Sequence, residues 1–223
     1  MYGAVGSDQL VAPLGPSRGG RLRFTNGAHR LVIRADARLR VLYRERSGYR
    51  MPTVGVRRGI VTIRYPRFPA GCWLDDSSEH LAEVELNARV PWDVEVRGGA
   101  SRLLADLREL RLGSLEVDGG ASRLVLALPA PTGSVAVVIL GGASNVAIRR
   151  PEGVAARLRV DGGATNLEFD ERHIGAAGGG LDLHSRGYDG AQDRYDIAVT
   201  GGANNLSIDR QRGSKEGVDL DRE

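Results

Sequence analysis

The sequence predicts an all-β chain folded as a single-domain parallel β-helix, or solenoid, with coils of about 21 residues that turn at Gly-Gly corners. Three observations carry this prediction. One phrase returns five times, at residues 97–103 (Arg-Gly-Gly-Ala-Ser-Arg-Leu), 118–124 (Asp-Gly-Gly-Ala-Ser-Arg-Leu), 140–146 (Leu-Gly-Gly-Ala-Ser-Asn-Val), 161–167 (Asp-Gly-Gly-Ala-Thr-Asn-Leu) and 200–206 (Thr-Gly-Gly-Ala-Asn-Asn-Leu). Apolar residues alternate on both sides of each phrase, as in Val94/Val96 before the first and Leu124/Leu126/Leu128 after the second. That period of two belongs to strands with one buried face, whereas helices repeat apolar residues three and four apart. Aromatic residues make up only 5% of the chain while Gly numbers 31, a composition that suits tight layers of small and aliphatic side chains rather than a bulky sandwich core.

Taken in order, residues 1–20 hold several Gly and Pro and read as a flexible leader. The solenoid is expected over 21–208. Its irregular N-terminal coils span 21–90 and its regular repeats 91–208. Residues 25–31 (Thr-Asn-Gly-Ala-His-Arg-Leu) match the phrase at Gly, Ala, Arg and Leu and mark a degenerate first coil over 21–43, as a capping repeat should be. A polar loop at 44–52 leads to a second irregular coil over 54–63, turning at Arg57-Arg58-Gly59. Residues 65–80 are the least regular, then 81–86 alternate cleanly and Trp92 stands at the boundary of the regular repeats. The Gly-Gly pairs start at 98, 119, 141, 162 and 201. The wide last interval is near two periods, so a worn coil is expected around 179–183, with 188–196 as its extended turn. Residues 209–223 read as a disordered polar tail.

Each coil must turn sharply at the same place, so Gly98, Gly99, Gly119, Gly120, Gly141, Gly142, Gly162, Gly163, Gly201 and Gly202 are assigned to a structural corner. After the corner, Arg102, Arg123, Asn145, Asn166 and Asn205 are expected to point outward. Ser101, Ser122, Ser144, Thr165 and Asn204, one place earlier, are expected to point inward or along the corner as a hydrogen-bonded ladder between layers.

No P-loop, dinucleotide glycine fingerprint, His-Glu-x-x-His, Cys-x-x-Cys or nucleophile elbow is present. No catalytic residue and no cofactor is therefore assigned. Asp75, Asp76, Glu79 and His80 are the weak candidates for a metal, although neighbouring carboxylates on an extended chain face opposite ways. Cys72, the one cysteine, forms no intrachain disulfide and reads as a small buried hydrophobe beside Trp73. No signal peptide or spanning segment is visible, which makes the cytoplasm the expected location. The first 74 residues hold 14 Arg against Asp8, Asp36 and Glu45, while the whole chain is only +3, so the remainder is acidic. Such asymmetry fits head-to-tail contact or an anionic partner, but Arg spread evenly along strands argues against a nucleic-acid platform.

Residues 90–103 (Val-Pro-Trp-Asp-Val-Glu-Val-Arg-Gly-Gly-Ala-Ser-Arg-Leu), the later Leu128-Pro129 and Arg150-Pro151 turns, and the closing 193–203 resemble bacterial adhesin-like β-solenoid domains of unknown function. These are similar to the C-terminal domains of cell-envelope stress sensors, and bactofilins are a looser likeness in architecture. The resemblance implies a fold and no catalytic residues. The expected function is a non-enzymatic scaffold or protein-interaction domain whose partner is another protein or a second copy, stacked end to end. The alternatives are a carbohydrate-binding or carbohydrate-active β-helix and, third, binding of nucleic acid or anionic lipid through residues 21–67.

Overall fold

The computed structural model describes residues 9–13, 19–25, 28–47, 53–57, 60–65 and 81–211. The metal candidates Asp75, Asp76, Glu79 and His80, together with Cys72 and Trp73, lie outside the described residues, as do residues 212–223 of the expected tail.

The first described strand is β1 (Gln9–Pro13), inside the stretch expected to be a leader. Then come β2 (Gly19–Phe24) and β3 (Ala28–Asp36), the single strands β4 (Val41–Ser47) and β5 (Thr53–Arg57), and β6 (Ile60–Tyr65) and β7 (Leu81–Asn87). The regular phrases join β8 (Pro91–Arg97) to β9 (Ala100–Asp106), β10 (Arg111–Asp118) to β11 (Leu124–Ala127), β12 (Ser134–Leu140) to β13 (Ala143–Pro151), and β14 (Ala155–Val160) to β15 (Ala164–Phe169). Two single strands follow, β16 (Arg172–Ala177) and β17 (Leu181–His184), and a short 3-10 turn at Tyr188–Gly190 precedes the last pair, β18 (Arg194–Val199) and β19 (Ala203–Gln211).

The strands form two sheets, ordered β1-β4-β7-β3-β9-β11-β13-β19-β15-β16 and β17-β14-β18-β12-β10-β8-β2-β6-β5. Without the single strands the two orders coincide: each pair sends one strand to each sheet, and every contact between pairs is parallel. The single strands run antiparallel at the ends, β4 with β1 beyond β7, β5 beyond β6, β16 beyond β15 and β17 beyond β14. The chain is thus all-β, with parallel strand pairs stacked between antiparallel ends.

The stacking order departs from chain order at both ends. The pair β2/β3 lies between β6/β7 and β8/β9, and the closing pair β18/β19 lies between β12/β13 and β14/β15. The expected second coil over 54–63 is instead an antiparallel hairpin of β5 and β6. Likewise the expected worn coil around 179–183 is antiparallel: the wide interval contains the two end strands β16 and β17 rather than a lost repeat. A pair at the end of the stack has one open flank, and a reversed strand covers it without presenting another repeat-bearing edge.

The core lies between the two sheets. Val96, Val117, Ile139, Val199 and Val160 occupy one register across the second sheet, and Leu103, Leu124, Val146, Leu206 and Leu167 the matching register across the first, all at most 2% exposed. These are the alternating residues of the sequence, buried because one strand pair alone has nothing to cover its apolar face. At the N-terminal side, Trp92 packs on Gly20, where an added Cβ would lie 2.3 Å from the indole ring, and the indole N–H donates to the Asn87 carbonyl at 2.9 Å. Asn87 is itself fully buried and satisfied, its amide donating to the carbonyls of Leu39 (2.6 Å) and Val41 (2.9 Å) and its oxygen accepting from the Arg89 N–H.

Candidate binding face

The repeated phrase builds the corner between the two sheets. The N–H of four of the five corner alanines donates to a glycine carbonyl of the next layer: Ala100 to Gly120 (3.1 Å), Ala121 to Gly142 (3.0 Å), Ala143 to Gly202 (2.9 Å) and Ala203 to Gly163 (2.9 Å). Backbone therefore passes so close to backbone that there is no room for side chains at several of these sites. A Cβ at Gly201 would lie 2.6 Å from the Gly141 carbonyl carbon, and one at Gly120, where φ is +86°, would lie 2.9 Å from the Gly142 oxygen.

The residue that turns inward after the corner is the alanine. Ala100, Ala121, Ala143, Ala164 and Ala203 are buried, whereas Ser101 and Ser144 are half-buried and Ser122, Thr165 and Asn204 exposed. Of the two orientations expected for that column, inward or along the corner, the inward one does not occur, since none of its members is buried. Asn145, Asn166 and Asn205 adopt left-handed backbone (φ 50–52°), which interrupts strict alternation and leaves two outward residues between the buried alanine and the buried Leu or Val. Layer-to-layer side-chain bonds run through one pair of the expected ladder and, more often, through the outward amide column. Asn166 donates to Asn205 at 2.7 Å, Asn205 to Asn145 at 2.9 Å, and the Thr165 hydroxyl to Asn204 at 2.9 Å.

Toward the other end the same column changes chemistry, from Asn to Arg123, Arg102 and Arg30. Arg30 and Arg102 are direct register partners, and the Arg123 carbonyl accepts from the Leu103 N–H beside Arg102. The three cations stand on adjacent layers roughly 4.8 Å apart, and among the described residues none has an ion-pair partner. Like charges on neighbouring strands repel. Beside them, in register, Val32, Leu104, Val125 and Ala147 make an outward apolar row, all but the buried Val32 partly exposed.

Other arginines of the basic N-terminal part are neutralised across strands. Arg21 meets Asp93 (3.2 Å), Arg23 meets Glu95 (2.6 Å), Arg34 meets Glu83 (3.6 Å) and Arg44 meets Glu85 (2.9 Å). Four of the 14 arginines in the first 74 residues are therefore paired in space, because β2, β3 and β4 stack against β7 and β8. Carboxylates on the same sheet respond to their settings. The Arg108 hydrogen bond holds Asp106 below the usual carboxylate range, while burial, aided by Glu168, pushes Asp209 up. Among the described residues no group of His, Cys, Asp or Glu is arranged to hold a metal. No described helix is long and apolar enough to cross a membrane. The match of Arg30 to Arg102 and Arg123 was legible in the repeated phrase, whereas nothing in the sequence shows which arginines find carboxylates.

The pattern for the N-terminal domain of toast_rack, DUF2154, matches residues 20–149, a span that contains all three arginines of the row. No curated protein matches the chain. Among solved structures, a candidate cell adhesion protein from Clostridium sporogenes ATCC 15579 shares the fold, with a TM-score of 0.68 at 14% identity, covering 92% of this chain and 98% of that one.

Proposed function

This chain belongs to the family of toast_rack N-terminal domains, DUF2154, and from that premise we propose that it is a non-enzymatic, adhesin-like interaction domain that docks a protein partner on the outer face of its ten-stranded sheet. The observation that carries the reading is the Arg30–Arg102–Arg123 row, which has no ion-pair partner among the described residues, beside the apolar Val32–Leu104–Val125–Ala147 row. A cationic stripe bordering a flat apolar strip suits a partner that offers carboxylates next to aliphatic side chains, where Arg forms its strongest contacts. The likeness to the candidate cell adhesion protein supports an adhesive role. In this reading the stacked pairs are the layers of a β-solenoid that serves as a rigid scaffold, and the antiparallel ends favour binding through the face over end-to-end growth.

The test uses the full chain and its Arg102→Glu, Arg123→Glu double variant, each immobilised and exposed to an extract of the native host. The wild type should retain a partner that releases as salt rises and that the variant fails to retain, with thermal unfolding of the two chains alike. Identical retention by both chains would refute the Arg-row interface.

A further inference from the structure

At the C-terminal end of the stack, the turns after β13 and β15, the end of β17 and the end of β19 enclose a cleft of about 190 Å³. Arg150 lines it and is fully buried. The Arg150 Nη2 donates to both oxygens of Asp170 at 2.8 Å, and its Nε donates to the Val154 carbonyl at 2.9 Å. The remaining nitrogen, Nη1, is buried with no hydrogen-bond partner among the described residues. A buried guanidinium nitrogen left unmatched is costly, because desolvation is not recovered by any acceptor.

The charges around the cleft point the same way. Arg210 lies 3.3 Å from Asp170 and also pairs with Glu171, so the two lining carboxylates are already engaged by Arg150 and Arg210. Arg172 and Arg186 line the same cleft, are exposed, and have no ion-pair partner among the described residues. His184 adds a ring nitrogen that can donate. Two cations in excess, one unmet buried donor and a volume below that of drug-sized pockets describe a place for a compact, doubly charged group.

We propose that this cleft is a binding site for a small phosphate-type dianion, held by Arg172 and Arg186 at the mouth and by the Arg150 guanidinium at the base. Guanidinium forks match the oxygen spacing of a tetrahedral oxyanion, and the buried Arg150 adds positive charge beneath the mouth. The site lies beyond the Arg30–Arg102–Arg123 row in sequence and draws on different strands, so it stands or falls apart from the partner interface.

The experiment titrates the full chain with inorganic phosphate and, separately, with glycerol phosphate, reading heat of binding and thermal midpoint against chloride at equal ionic strength. Saturable binding by either compound, with a raised midpoint, is expected. Equal responses assign the site to the free anion, and a tighter response to glycerol phosphate assigns it to a phosphate ester. In the Arg172→Ala, Arg186→Ala double variant binding should weaken about tenfold or more while the ligand-free midpoint stays put, since both side chains are exposed. No response beyond that of chloride, or an equal response in the double variant, overturns the site. Arg150 itself is left unchanged, because removing a buried partner of Asp170 would disturb folding whatever the site binds.

Discussion

At the residue scale the corner shows that the two glycines of a phrase are not equivalent. Sequence repetition assigns them one role, yet the contact that forbids a side chain varies with position. Gly201 would put a Cβ 2.6 Å from the Gly141 carbonyl carbon and 2.8 Å from the Gly142 nitrogen, whereas a Cβ at Gly142 would meet only the Gly202 oxygen, at an ordinary 3.6 Å. Backbone atoms of a neighbouring layer cannot swing aside as the end of a side chain can. Gly201→Ala should therefore lower the thermal midpoint markedly, and Gly142→Ala should leave it almost unchanged or raise it slightly by restricting the unfolded chain. Melting curves followed by circular dichroism would separate the two, and equal losses would contradict the corner geometry.

At the element scale, β11 carries the plainest contrast between its faces. Leu126 is fully buried in register with Ala105 and Ile148, while Val125 looks outward between Leu104 and Ala147. Leu126→Ala should cost about 2–5 kcal/mol, the transfer term plus the cavity left between layers. Val125→Thr keeps the branched shape that strands favour and should cost only a few tenths of that. Urea unfolding of both variants measures the difference, and equal costs would mean that the faces are misassigned. These faces were legible in the sequence because a period of two has only one way to bury its apolar set. The end strands were not: β16 lacks alternation, β17 is only four residues long, and no residue of either is fully buried.

At the scale of the whole molecule, the position of the closing pair has consequences for folding. In a stack that follows chain order, removing the C-terminal pair strips an end and leaves the rest intact. Here β18 and β19 lie between β12/β13 and β14/β15, and β19 bonds to both β13 and β15 along its length. Truncation after residue 192 should therefore split both sheets and abolish the cooperative melt, while truncation of residues 1–18 removes, among the described residues, the edge strand β1 and should preserve it. Calorimetry of the two truncated chains against the full chain is the measurement. A cooperative transition in the chain ending at 192 would show that β14/β15 can dock directly on β12/β13.

The sequence by itself determined the class of structure: strands, their buried faces, the corner phrase and its repeat. Each of these follows from local periodicity and from the steric demands of glycine, which are written residue by residue. Only the tertiary structure decided the order of the layers, the reversed strands at the ends, which arginines are neutralised and where Arg150 is buried. The five phrases present nearly identical flanks, so any pair can stack on any other in the same register, and nearest-neighbour chemistry alone cannot rank the arrangements. In the order the structure adopts, β4, β5, β16 and β17 lie at the ends, and charge pairing follows from that order. Arg21 finds Asp93, 72 residues away, because β2 lies beside β8, a relation that no local pattern encodes.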